Sequence, residues 1–420
     1  MSSRFARACI ACALAMSPGW TAAQPAELTL AAALDAALRN HPDLRASAYE
    51  VGAAQARIVQ AGLAPNPELS LELENFAGSG AARGTDALET TLSLSQVVEL
   101  GGRRGLRQSA AQAEYDVAGV EQQARELDVL AEVTRRFIDV VAAQEHARLA
   151  ADAVRIAQAT LAAIDARVAA GRSPLAEQSR ARIALTRARI ERRQEESELG
   201  SARFALAASW GDTEPGFTSA RAEIFELRAL EPLQALLERL EHTPDLSRFA
   251  SETRLREAEL RLARVQARPN LAFSLGLRRL AEGDATALVA GVSLPLAFRD
   301  RNQGAIREAQ LRIEQAGVLA AAARVRARAS LLGLHQQVEA DRARVETLRG
   351  EAQPQAQLAL EQTRSGYERG RFSFLELATA QEELLALQAA SIDAAADYHR
   401  LVAEIERLTG TAAPRAASIP

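Results

Sequence analysis

The stretch Glu68-Leu69-Ser70-Leu71-Glu72-Leu73-Glu74 alternates leucine with serine or glutamate without a break, and that period of two decides the architecture. Successive side chains of a strand point to opposite faces, so Leu69, Leu71 and Leu73 share one face and the polar residues the other. Pro65-Asn66-Pro67 stands in front of it and ends a helical pattern over residues 30–63, because proline cannot continue a helix. A flexible turn, Gly78-Ser79-Gly80 to Gly84, follows, and residues 88–98 return with Leu92 and Leu94 alternating against Ser93 and Ser95. The spacing predicts strands of about 9 to 11 residues, the length a tilted strand needs to cross a bilayer. A soluble sheet with one face on a core gives the same alternation, so the surroundings must decide.

Working outward, the chain repeats itself. His41-Pro42-Asp43-Leu44 returns as His242-Thr243-Pro244-Asp245-Leu246, and the strand returns as Leu271, Phe273, Leu275 and Leu277 against Ala272, Ser274, Gly276 and Arg278, followed by Ala290, Val292, Leu294 and Leu296. Gly171-Arg172-Ser173-Pro174-Leu175 closes the first unit, and Gly370-Arg371-Phe372-Ser373-Phe374-Leu375 closes the second. This is a tandem duplication of helix, strand pair, long helix, reversal, long helix. The first repeat spans 24–210, with its strand pair at 68–98 and its helix hairpin at 105–210. A connecting segment, 211–230, carries the short run Ile224-Phe225-Glu226-Leu227 and reads as a small patch outside the helices. The second repeat spans 231–410, with its strand pair at 270–297 and its hairpin at 304–409, and the tail 411–420 reads as disordered.

After Gly105 a helical pattern runs to about residue 170 without proline, roughly 100 Å at 1.5 Å per residue. Leu130, Val133, Phe137 and Val141 form a stripe at spacings of three and four. Leu334, Val338, Val345 and Leu348 are its counterpart. Aromatic residues are only 4% of the chain and alanine dominates its apolar part. That composition excludes a thick globular core and favours close-packed antiparallel coiled coils.

Fifty basic and 54 acidic residues are mixed along the helices and leave a net charge of −4, so no basic patch recommends nucleic acid. Arg4, Arg7, the apolar residues 9–16 and Thr21-Ala22-Ala23 fit a secretory signal occupying 1–23. Cys9 and Cys12 both fall inside it. Acylation at Cys12 is disfavoured because the apolar stretch continues past it to Met16. No later stretch holds the ~20 apolar residues of a membrane helix, so any membrane part must be built from strands. Four strands cannot close a barrel, whose practical minimum is about 8, and open edges are forbidden in lipid, so several copies must share one.

Signals for chemistry are weak throughout. Gly101-Gly102-Arg103-Arg104-Gly105 lacks the spacing and the Lys-Ser/Thr of a phosphate loop and reads as a strand-to-helix elbow with basic residues near headgroups. His41, His146, His242, His335 and His399 are scattered singly, with no zinc spacing. Glu195, Glu196, Glu382 and Glu383 lie on charged helical faces. No catalytic, cofactor-binding or metal-ligating set emerges, and an enzyme is not expected.

The run Leu94-Ser95-Gln96-Val97-Val98-Glu99-Leu100-Gly101-Gly102-Arg103-Arg104, with Leu294-Pro295-Leu296 and Asp300-Arg301-Asn302-Gln303-Gly304 in the second half, resembles the TolC-like outer-membrane factors of tripartite efflux pumps, over about residues 28–410. It is most similar to their CzcC-like heavy-metal branch. The resemblance implies a mainly α chain with a membrane β-barrel part. Four strands per subunit would build a trimeric 12-stranded outer-membrane barrel, continued by a periplasmic α-barrel of coiled-coil helices. It further implies a homotrimer in a Gram-negative outer membrane, contacting lipid and docking a periplasmic adaptor linked to an inner-membrane RND pump. The adaptor-contacting tips would be Gly171, Arg172 and Ser173 with Gly370, Arg371 and Ser373. The closed aperture would be lined by Glu177 and Glu376, with Arg371 as partner. Thr379 stands where better-known members carry a second acidic residue. The expected cargo is divalent metal cations. Conduits for drugs, organic solvents or a secreted polypeptide stay open, as does a periplasmic coiled-coil adaptor or scaffold, which would show one hairpin flanked by unrelated β domains.

Overall fold

A computed structural model describes residues 27–411; the expected signal segment 1–23 and the tail beyond Thr411 lie outside the described residues. In chain order the elements are β1 (Glu27–Leu28), α1 (Leu30–Asn40), α2 (Pro42–Ala61), β2 (Glu68–Glu74), β3 (Glu89–Val98), α3 (Arg103–Ala169), α4 (Leu175–Ala208), β4 (Ser219–Ala220), α5 (Leu233–Leu240), α6 (Pro244–Gln266), β5 (Leu271–Leu280), β6 (Ala285–Ser293), α7 (Gln303–Thr347), α8 (Gln353–Glu368) and α9 (Phe374–Thr409). The single helix expected over 30–63 is two. Pro42 disfavours the helical region for His41, which takes φ −57°, ψ 125°, and the His41 ring accepts the Asp43 N–H at 3.1 Å to start α2.

The four long strands form one antiparallel sheet in the order β2-β3-β5-β6, so the two repeats are joined at its centre by β3 and β5. Its register puts Leu71, Leu92, Leu277 and Leu288 in one row and Leu69, Leu94, Leu275 and Ala290 in the next. This face is apolar and open: Leu69 is 68% exposed, Leu71 63% and Leu288 74%. The opposite face is polar or small. There the Ser70 and Ser93 hydroxyls meet at 2.7 Å, and the Arg278 guanidinium donates to Thr91 Oγ1 at 2.9 Å and Glu89 Oε2 at 2.7 Å. β2 and β6 are the edges, each unpaired along its outer side among the described residues. At 7 residues β2 is shorter than expected, because Asn75 turns into the left-handed region (φ 59°) and ends the ladder.

α3 is the spine. α2 and α6 flank its upper part, nearest the sheet, while α4 and α9 flank its lower part; α7 packs on α6 and α9, and α8 on α9. Lateral order is therefore α2-α3-α6-α7 above and α4-α3-α9-α8 below. The predicted stripe is the core: Leu130, Val133, Phe137 and Val141 are buried against α1, α9 and the connecting segment. Ala394 and Ala395, with no exposure, let α9 approach closely. One edge of the α3–α9 contact carries the pairs Asp128–Arg407, Arg135–Glu404, Asp139–Arg400 and His146–Asp393, at 2.5 to 2.9 Å. Partly exposed pairs contribute about 0–1 kcal/mol each, so they set register more than stability.

The second hairpin departs from the uninterrupted helix expected after residue 304. Leu348–Ala352 form a π-turn just before Pro354, whose missing N–H and bulky ring break the regular ladder to Gly350. Segment 211–230 packs onto the helices: Phe217 and Ile224 are buried, Gln144 holds Ala220 by both backbone groups at 2.8 and 2.7 Å, and Arg349 stacks 3.9 Å over Phe225.

The elbows between sheet and helices are fixed by arginines capping helix ends. Arg103 donates to the carbonyls of Val265 and Gln266 at the end of α6, both at 3.4 Å. Arg107 donates to Ala61 O (3.3 Å) and Leu63 O (3.1 Å) at the end of α2, and Glu99 balances it. Cations belong at carboxyl ends, where the last carbonyls lack partners. Gly101 (φ 76°) lets this happen, since a Cβ there would lie 2.7 Å from Val265 Cγ2.

Candidate functional site

The two chain reversals meet at the end of the helices farthest from the sheet. Each is built by a glycine in the left-handed region, Gly171 (φ 69°) and Gly370 (φ 74°). In both, the next N–H reaches back five residues, Arg172 N to Arg167 O and Arg371 N to Gly366 O, each at 2.8 Å. That is the Schellman closure of a helix end. Beneath them Ile164, Ala181, Tyr367, Phe374 and Leu377 form a small buried cluster, so the two tips are one packed unit.

Two residues absent from the sequence-based set hold the tips together. Arg167, on the first hairpin, donates to Ser173 Oγ at 3.0 Å and to the carbonyls of Tyr367 and Glu368 at 3.3 Å, with its guanidinium 4.7 Å over the Tyr367 ring. Tyr367, on the second, donates its hydroxyl to Glu177 Oε2 at 3.2 Å. Burial first, and Glu177 beside it, push the Tyr367 phenol up, so it stays protonated and a donor at neutral pH. Both residues stand three or four positions before a reversal glycine, a signal that spacing alone could have supplied.

Of the expected residues, Ser173 and Glu177 are thus drawn into contact with the second reversal. Gly171, Arg172, Gly370 and Arg371 lie exposed at the extreme tip. Glu376 is not paired with Arg371 within the chain: it completes a capping box, accepting Ser373 N–H at 2.7 Å and Ser373 O–H at 2.9 Å while Ser373 Oγ receives Glu376 N–H. The Ser373 backbone N–H, then its hydroxyl, hold this carboxyl below its ordinary value. Arg371 forms no ion pair among the described residues, nor does any group of three His, Cys, Asp or Glu there have the arrangement to hold a metal ion. Leu175, Phe372 and Leu375 are exposed around the tips, and the Phe372 ring sits against Gly366, in the space a Cβ there would need.

No helix among the described residues is long and apolar enough to cross a membrane. The apolar sheet face is the surface that can enter lipid.

The outer membrane efflux protein family matches residues 33–212 and 236–411, one match per repeat. The cobalt-zinc-cadmium resistance protein CzcC of Cupriavidus metallidurans is 30% identical over 383 residues, covering 91% of this chain and 90% of that protein. The nickel and cobalt resistance protein CnrC of the same organism is 26% identical, covering 66% of this chain and 65% of that one. Among solved structures, a membrane protein from Pseudomonas aeruginosa superposes with a TM-score of 0.78 at 21% identity, over 92% of this chain and 91% of the other. The chain therefore belongs to the outer membrane efflux protein family, and is an outer-membrane channel with a periplasmic helical tunnel rather than an enzyme.

Proposed function

We propose that three copies of the chain close one 12-stranded barrel and one helical tunnel, and that this trimer is the passive outer-membrane conduit of a tripartite, RND-type pump exporting divalent metal cations. The observation that carries the reading is the open sheet: four strands, one face of exposed leucines and two unpaired edges, β2 and β6. Unpaired N–H and C=O groups in lipid cost several kcal/mol each, so β6 of one copy must pair with β2 of the next. Two copies would give eight strands, whose interior only side chains fill; three leave a bore. On this reading residues 24–210 and 231–410 are the two structural repeats and 211–230 joins them.

The cargo assignment rests on relatives named for cobalt, zinc, cadmium and nickel resistance. Selectivity would lie in the pump. At the far end, the tips Gly171, Arg172, Ser173, Gly370, Arg371 and Ser373, with exposed Leu175, Phe372 and Leu375 around them, form the surface for a periplasmic adaptor. Glu177 and Glu376 would line the aperture, a ring of carboxylates favouring cations. Arg371 is left to pair across a copy boundary. The Arg167–Tyr367–Glu177 contacts would hold the aperture shut until adaptor binding favours the open state.

The test is fractionation and heat-modifiability in mild detergent, followed by deletion in the host. An outer-membrane oligomer of about three chain masses, and loss of cobalt, zinc or cadmium tolerance with drug tolerance intact, is the expected result. A soluble monomer overturns the barrel; lost tolerance to drugs alone overturns the cargo.

A further inference from the structure

We infer that the elbow between sheet and helices is a binding belt for anionic phospholipid headgroups of the inner, periplasmic leaflet, an inference that rests on the barrel reading above. Three parts of the chain converge there. The first elbow, Glu99 to Arg104, is tied to the end of α6 by the Arg103 bonds to Val265 and Gln266. The second, Arg299 to Gln303, reaches the same end through Asn302, whose amide donates to Ala263 O at 2.8 Å. Arg268 completes the set, since a Cβ on Gly101 would lie 3.2 Å from its Cδ.

This rim is strongly and asymmetrically charged. Arg103, Arg104, Arg268, Arg299 and Arg301 stand against only two carboxylates, Glu99 and Asp300. Glu99 is taken by Arg107, and Asp300 accepts the Asn302 backbone N–H at 2.9 Å. Arg104, Arg268, Arg299 and Arg301 are exposed and have no ion-pair partner among the described residues. Four exposed guanidinium groups without a carboxylate partner, carried on segments that converge at the end of α6, raise a positive potential that draws an anion.

The rim is also apolar on its membrane side. Phe298 is 76% exposed and Leu296 65%, and they stand in the chain between the end of β6 and the arginines of the second elbow. Exposed apolar side chains above and free arginines below match a lipid, with acyl chains against Phe298 and Leu296 and a phosphate among the guanidinium forks. A free phosphate would use the arginines only and leave the apolar half without a role. Arginine suits the task because its planar fork donates two bonds to one phosphate.

The experiment is native mass spectrometry of the purified trimer with phosphatidylglycerol and phosphatidylethanolamine of identical acyl chains. Phosphatidylglycerol should be retained in preference, with the preference falling by up to about fivefold for each of R104Q, R299Q and R301Q. R182Q and R187Q, exposed on α4 away from the elbows, should keep it. Raising salt from 0.1 M to 1 M shortens the screening length from about 10 Å to about 3 Å and should erase the preference in the unmodified trimer, so no variant need fold for the test to count. Equal retention of the two lipids, or a preference untouched by salt and by all three substitutions, overturns the proposal. Competition by inorganic phosphate alone, without loss of bound lipid on Phe298→Ser, would show an ion site and overturn it too. Absence of any trimer defeats the barrel reading instead.

Discussion

Replacing Tyr367 by phenylalanine deletes one oxygen from the tip and nothing else, because the ring stays packed against Ile164, Phe374 and Leu377. The hydrogen bond it removes, Tyr367 O–H to Glu177 Oε2 at 3.2 Å, joins the second hairpin to the first. Bonds to a charged group contribute about 1.5–3 kcal/mol. Glu177 is only half-buried and water competes for it, so about 1 kcal/mol per copy is the better figure. Three copies then shift the closed-to-open balance by about 3 kcal/mol, or roughly 150-fold, if the bond exists only in the closed state. The assay is single-channel conductance of purified trimers in planar bilayers, with Tyr49→Phe on α2 as the control, since Tyr49 is 76% exposed. Tyr367→Phe should raise the open fraction and Tyr49→Phe should not. A Tyr367→Phe trimer with the unmodified conductance distribution refutes the assignment of this contact as a latch.

Gly366→Ala should disturb the second reversal, because its Cβ would strike the Phe372 ring; circular dichroism should stay helical while adaptor cross-linking at the tip falls. Gly101→Ala combines a left-handed φ, which costs about 1–2 kcal/mol, with a contact of 2.7 Å to Val265, and should reduce the yield of assembled oligomer. Leu275→Arg on the apolar sheet face should cost about 2–4 kcal/mol per copy in lipid, whereas Ser70→Arg on the opposite face should be near neutral; heat-modifiable oligomer on a gel reads the difference. Glu241 bridges Arg324 and Arg328 of α7, and the Arg324 hydrogen bond above all lowers its pKa from the ordinary 4.5. A depressed carboxylate stabilises the fold fully above 4.5 and loses that stability as pH falls through its folded value. Thermal unfolding of Glu241→Gln should therefore fall short of the unmodified protein at neutral pH and converge with it in acid below pH 4.5.

The sequence by itself determined the long strands and the chain reversals, since these follow from local pattern. Leucines at every second position around Leu71 and Leu275 could only be strands with one apolar face, and glycine before Arg172 and Arg371 marked both reversals. Ser373-Phe374-Leu375-Glu376 even carries the capping-box pattern that occupies Glu376, although the resemblance had placed that carboxylate beside Arg371. Where local prolines competed with periodicity, the pattern misled: Pro42 split one expected helix and Pro354 opened another into a π-turn. What only the tertiary structure decided are the long-range partners. That β3 pairs with β5, that Arg103 caps a helix some 160 residues away, and that Arg167 reaches across to Tyr367 depend on how the two repeats lie side by side. Side-chain period is a property of a few neighbouring residues and is written in them. Contact between distant segments is chosen by the packing of whole helices, where many residues share one decision and none records it alone.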